Sequence, residues 1–255
     1  MSIRSIDILP TAQSAEGYDF SRSVAVVIDV LRATSVITMA AHNGAAAVVP
    51  VLSPDEGFAL AQKLGRGNVI LGGERNADRI EGFDLGNSPQ DYAPQVVKGK
   101  TVVLTTTNGT VALRNSLGAK AVVAASLLNY QAAAISALSL AQERDADKIV
   151  FVCSGNYGVL TLEDCWCAAV MTDVLLAQCA AGSVALETDQ AVALHNLSFG
   201  RQPADDALSC QSRHYAKLLA KGYAQDADIC LRHAGTVGTV PVMGPDGALR
   251  AWTEI

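Results

Sequence analysis

Residues 29–35 read Asp-Val-Leu-Arg-Ala-Thr-Ser and follow directly on an apolar run. A strand over that run delivers Asp29 to its carboxyl end, with Arg32, Thr34 and Ser35 in the next turns. An acid, a guanidinium and two hydroxyls at a strand mouth suit a phosphorylated substrate and a divalent ion. Carboxylates take hard cations, while guanidinium forks and helix amides take phosphate oxygens. The pattern recurs at 71–75 (Leu-Gly-Gly-Glu-Arg), 105–110 (Thr-Thr-Thr-Asn-Gly-Thr) and 153–158 (Cys-Ser-Gly-Asn-Tyr-Gly). Glu74 could complete a metal shell begun by Asp29, with Arg75 clamping an anion. Thr106, Asn108 and Thr110 form the best candidate anion cradle, since Asn108-Gly109 favours a turn that exposes amides. Gly155 shapes the last of these loops and is a candidate substrate contact there. Glu163 and Asp164 then open a helix, where one of them could position or deprotonate water.

Each group also has an ordinary explanation. Asp29 could cap a helix, and Arg32 could be a surface ion-pair partner. Glu163 and Asp164 favour a helix amino end without any chemistry. Asp84 and Asn87, in the turn-forming stretch 82–89, could simply organise that turn. The threonine-rich loop is not a Walker loop, because it lacks the closing Gly-Lys-Ser/Thr. Cys165-Trp-Cys167 has no second pair for zinc, and Cys153 has no visible basic partner for nucleophilic work. The histidines are too dispersed for a metal cluster, which leaves His214 as a candidate for substrate contact.

The elements that must position these groups alternate regularly. Strands are expected over 2–9, 23–28, 45–51, 68–71, 102–104, 121–125 and 149–152. Helices are expected after the 23–28 strand through about residue 43, and from about 54 to 64, 109 to 117, 130 to 144 and 161 to 179. Ser53-Pro54-Asp55-Glu56 is a helix start with a capping serine, proline at the first position and a box-completing glutamate. Residues 72–95 read as a long polar loop. Segments 195–198 and 205–222 are hard to connect topologically, and 228–230 and 239–243 could be late strands. The alternation predicts an α/β fold of layered sheets covered by helices. We divide it near residue 135, giving lobe 1–135 with the first three site loops and lobe 136–255 with the acidic helix start. Strands on both sides could still share one sheet.

The formal charge of −6, with no basic block, argues against a nucleic-acid partner. A small anion remains compatible, because a metal or a few arginines can reverse the potential locally. Six dilute cysteines and no secretory leader suggest reduced thiols in the cytoplasm. The uncharged stretch 121–142 is broken by polar residues, so it reads as strand, turn and helix rather than a membrane span.

Taken in order, the motifs at 29–35, 73–75, 82–89, 106–110 and 162–164 resemble the 2-phosphosulfolactate phosphatase family. A weaker match continues through Ser212-x-His214, Gly222 and Asp226. The resemblance implies a Mg²⁺-dependent phosphomonoesterase that converts 2-phospho-3-sulfolactate to 3-sulfolactate and phosphate. It also implies two related α/β lobes and a soluble homodimer. Asn76-Ala77 departs from the family pattern, where a glycine-containing turn commonly follows Gly-Glu-Arg. Ser154, in Cys-Ser-Gly, and Ala168-Ala169 are further departures. A phosphotransferase, a broader phosphomonoesterase and a non-catalytic anion sensor are the competing readings.

Overall fold

The computed structural model describes residues 3–201 and 209–252. In chain order the elements are β1 (Ser5–Leu9), β2 (Ser23–Ile28), α1 (Ala33–His42), β3 (Ala47–Pro50), α2 (Pro54–Leu64), β4 (Val69–Arg75), β5 (Asp78–Arg79), α3 (Pro94–Val97), β6 (Thr101–Thr105), α4 (Gly109–Asn115), β7 (Ala121–Ala125), α5 (Tyr130–Glu143), β8 (Lys148–Cys153), α6 (Leu162–Gln178), β9 (Ala185–Leu186), α7 (Asp189–His195), α8 (Arg213–Ala220), α9 (Ala224–Arg232), β10 (Pro241–Met243) and β11 (Leu249–Ala251). They build a helix-covered sheet in the order β5-β4-β6-β3-β11-β10-β7-β2-β8-β1-β9.

The central strands are apolar on both faces, as strands covered by helices on both sides must be. In β2, Val24, Val26 and Ile28 join one core while Ala25 and Val27 join the other. β7 and β8 alternate in the same way. Two parallel blocks, β4-β6-β3 and β7-β2-β8-β1-β9, are joined by the antiparallel hairpin β10–β11. Three successive antiparallel junctions make the blocks run in opposite senses along the ladder. Their carboxyl ends nevertheless line one cleft, which requires the sheet to curl. Five steps separate β6 from β2, and about 20–25° of twist per step supplies on the order of 100°.

Strands on both sides of residue 135 share this sheet, with β7 and β8 flanking β2. Two expectations need correction. Residues 228–230 lie in α9 rather than a strand, because Ala227, Cys230 and Leu231 recur at helical spacing on its buried face. The stretch 72–95 is packed rather than loose: it continues β4, forms β5 and buries Phe83 and Tyr92. Ser53 caps α2 as expected, accepting from the Glu56 amide at 3.1 Å, but the Glu56 carboxylate reaches back to the Leu52 amide instead of closing the box on Ser53. Residue 2 and residues 205–208 of the expected elements lie outside the described residues. No helix among the described residues is long and apolar enough to cross a membrane.

Candidate active site

Asp29 stands at the end of β2, where the chain turns into α1. The Thr34 amide and hydroxyl both donate to the Asp29 carbonyl, at 3.0 and 2.9 Å, and the Asp29 amide donates to the Thr34 hydroxyl. The Ser35 hydroxyl donates to the Val30 carbonyl at 2.8 Å. Thr34 and Ser35 are fully buried, so these expected substrate contacts instead fasten the turn. That leaves the Asp29 carboxylate facing a cleft of about 430 Å³, open mouth included. Gly109 permits this placement, since a Cβ there would lie 2.7 Å from Asp29 Oδ2 and from Ala33 Cβ. Burial pushes the Asp29 carboxyl up to about 6 against an opposing pull from His214, and the charges of Glu74 and Glu163 add to the rise.

Glu74 reaches the same cleft from the end of β4. β4 and β6 approach closely there: Gly73 has φ +141°, and a Cβ would sit 1.9 Å from the Thr105 carbonyl oxygen. The Glu74 oxygens accept from the amides of Thr107 and Ala77, both at 2.7 Å. Asn76 and Ala77 form the two-residue β4–β5 turn with φ of +55° and +72°, a geometry that favours glycine or asparagine. Ala77→Gly is therefore expected to raise stability by about 1 kcal/mol, read as a higher denaturation midpoint at unchanged m-value.

Arg75 turns away from the cleft and donates to the carbonyls of Glu74 and Leu52 and to the Thr105 hydroxyl. It braces the strand ends. Thr106 and Thr110 bond reciprocally: the Thr110 amide donates to Thr106 Oγ1 at 3.1 Å, and the Thr110 hydroxyl donates to the Thr106 carbonyl at 2.8 Å. Thr106, Thr107 and Asn108 line the cleft, whereas Thr110 supports them from behind. Asn108 Oδ1 accepts from the Tyr157 amide at 3.2 Å, joining this loop to the one after β8. Asn87 also lines the cleft, with a buried Oδ1 that has no hydrogen-bond partner among the described residues. Asp84 is held by Arg66 and the Leu71 amide, in the turn-organising role.

The two acids opening α6 are buried and do not line the cleft. Asp164 accepts from the amides of Val30 and Gly155, at 2.8 and 3.1 Å, and so ties two strand-end loops together. Burial, then the charges of Asp29 and Glu163, hold its carboxyl well above the usual range. Glu163 Oε1 lies 2.8 Å from His214 Nδ1, and His214 lines the cleft from α8. Burial alone would lower the His214 pKa, but the Glu163 hydrogen bond and the charges of Glu163 and Asp29 raise it.

Arg32 also lines the cleft, yet its guanidinium is engaged. It donates to Asp226 at 2.7 Å and to the Ala77 carbonyl at 2.8 Å, and it stacks 4.2 Å from the Tyr223 ring centroid. Cys153 is buried, with its thiol pushed far up by the Cys165 hydrogen bond and by desolvation, which suits packing rather than attack. No disulfide links the six cysteines among the described residues. Thr107, Asn156 and Tyr157 line the cleft from the 105–110 and 153–158 motifs, although none of the three stood out there as an individual contact. Lys217 lines it from outside every motif read in the sequence, three residues after His214 on one helix.

The donor set suits a hard cation. Among the described residues, no three or more His, Cys, Asp or Glu side chains group to hold a metal. Mg²⁺ commonly uses one or two carboxylates together with waters and substrate phosphate, which Asp29 and Glu74 could supply. Fold and site together define an α/β enzyme with a carboxylate–histidine cleft at its strand ends. The family model described as 2-phosphosulpholactate phosphatase matches residues 9–244, and the chain belongs to this family of phosphoric monoester hydrolases. Proteins named "probable 2-phosphosulfolactate phosphatase" are among its relatives. One from Clostridium acetobutylicum is 34% identical over 227 residues, covering 89% of this chain and 92% of the relative. One from Clostridium perfringens is 38% identical over 227 residues, covering 88% of each. One from Caldanaerobacter subterraneus is 42% identical over 165 residues, covering 65% of this chain and 66% of the relative.

Proposed function

We propose that this chain hydrolyses 2-phospho-3-sulfolactate to 3-sulfolactate and phosphate, with Mg²⁺ held by Asp29 and Glu74. The observation that carries the reading is the meeting of these carboxylates with His214 in one cleft, within a phosphatase family. Two carboxylates would repel an anionic ester unless a cation stood between them. When bound, Mg²⁺ would supply Lewis-acid stabilisation of charge on the phosphoryl oxygens.

The chain's own groups do the rest. Two amides fix the Glu74 carboxylate, so little reorganisation is needed as charge develops. Thr106, Thr107 and Asn108 offer donors along the phosphate. The leaving group is an alkoxide and needs a proton. His214, held by Glu163, provides it. Arg32 and Asp164 position the loops that carry Ala77, Val30 and Gly155.

Purified protein is expected to release phosphate and 3-sulfolactate in equal amounts, to stop with EDTA and to resume with Mg²⁺. Phosphoryl transfer to an added acceptor in place of water would instead indicate a phosphotransferase. Tight binding without turnover would indicate a sensor, and full activity in verified metal-free protein would remove the metal from the account. The proposal includes a cytoplasmic homodimer, for which light scattering should give twice the 26.5 kDa chain mass.

A further inference from the structure

Among the described residues, three Arg, His or Lys side chains line the cleft, and two of them face a carboxylate of the protein itself. Arg32 is paired with Asp226, and His214 with Glu163. Lys217 differs. Among the described residues it has no ion pair, and its contact is with the face of Tyr157, whose ring centroid lies 5.4 Å from Nζ. Its three ammonium donors are therefore left for a ligand.

The platform under that ammonium is fixed from two sides. The Tyr157 hydroxyl donates to Asn76 Oδ1 at 2.7 Å, and its amide donates to Asn108 Oδ1. Tyr157 also has φ +51°, a left-handed conformation that costs a tyrosine energy and that this cleft wall maintains. Tyr157 is 57% exposed and Lys217 is exposed, so the pair stands at the mouth while Asp29 and Glu74 lie buried within. His214 and Lys217, three apart on α8, share one helix face. The same face thus presents a proton-carrying group and, about one turn further along, an unmatched ammonium.

The geometry points to Lys217 as the specificity-determining residue, meeting the substrate's sulfonate at the mouth of the cleft. This rests on the function proposed above. The carboxylate and phosphate share one carbon of the substrate and enter together. The sulfonate stands one carbon farther out, stays ionised at every working pH and presents three oxygens to the ammonium. Tyr157 excludes water from one side of that contact.

The test compares 2-phospho-3-sulfolactate with 2-phospholactate, which lacks the sulfonate, in wild type, Lys217→Gln and Lys217→Arg. Lys217→Gln is expected to reduce the preference for the sulfonated ester, as a ratio of kcat/KM, by about 10–100-fold. The change should fall mainly on KM for the sulfonated ester, and Lys217→Arg should retain part of the preference. An unchanged ratio, or equal losses on both esters, would overturn the assignment. Wild type that hydrolyses both esters equally would also overturn it, while leaving the hydrolase reading intact. Wild type that hydrolyses neither would remove that reading and this inference together.

Discussion

Asp29→Asn is expected to lower kcat/KM by about 10²-fold or more while making the metal-free protein more stable. The substitution keeps the shape that fits against Gly109 but removes the charge proposed to hold the cation and stabilise phosphoryl transfer. The stability change follows from linkage. Burial, opposed by His214 and reinforced by Glu74 and Glu163, raises the carboxyl from 3.8 to about 6. Between these values the folded state binds more protons than the unfolded state, so stability falls as pH rises through roughly 4 to 6. At pH 7, with chelator present, the ionised carboxylate destabilises the fold and Asn relieves it by about 1–3 kcal/mol. Thermal unfolding checks this sign, and phosphate release checks the loss. A folded D29N protein with near-normal turnover would take Asp29 out of the centre.

His214→Asn is expected to cost about 10²–10⁴-fold in kcat, the range for a positioned general acid. Glu163→Gln should act through the same imidazole. The Glu163 bond and charge raise the His214 pKa against the effect of burial. Removing the charge therefore lowers that pKa, and the alkaline limb of the pH–rate profile should move to lower pH. A leaving group that needs no protonation, such as an aryl phosphate, should recover much of the rate in both variants. Equal losses on alkyl and aryl esters would assign His214 to phosphate binding instead.

The apolar runs ending in Asp29, Glu74 and the 105–110 loop made those positions legible, because a strand that is buried on both faces must end where polar residues begin. The partners of the side chains were not legible. Thr34 and Ser35 lie close enough in sequence to bond their own turn, and a hydroxyl that closes a turn looks the same in sequence as one that meets a ligand. Arg32 pairs with Asp226, 194 residues away, and no local pattern reports such a partner. Glu163 and Asp164 sit at a helix start, where exposed acids are common, yet both are buried, Asp164 against the Val30 and Gly155 amides and Glu163 against His214. β10 falls within the stretch 239–243 expected as a late strand, whereas β11 and the antiparallel junction between two parallel blocks were not legible, since pairing order depends on tertiary packing. Asn76-Ala77 stood out as a departure from a glycine turn, and the left-handed backbone there supplies the reason.

The central claim is that Asp29 and Glu74 serve one reacting centre although they end strands in different blocks of the sheet. The direct test is a double-mutant cycle on kcat/KM with Asp29→Asn and Glu74→Gln, assayed on 2-phospho-3-sulfolactate. Groups that act as a unit are non-additive. The account predicts that Asp29→Asn combined with Glu74→Gln loses little more than the more damaging single substitution. Losses that multiply, so that the double variant falls by the product of the two single effects, would show two independent sites and contradict it.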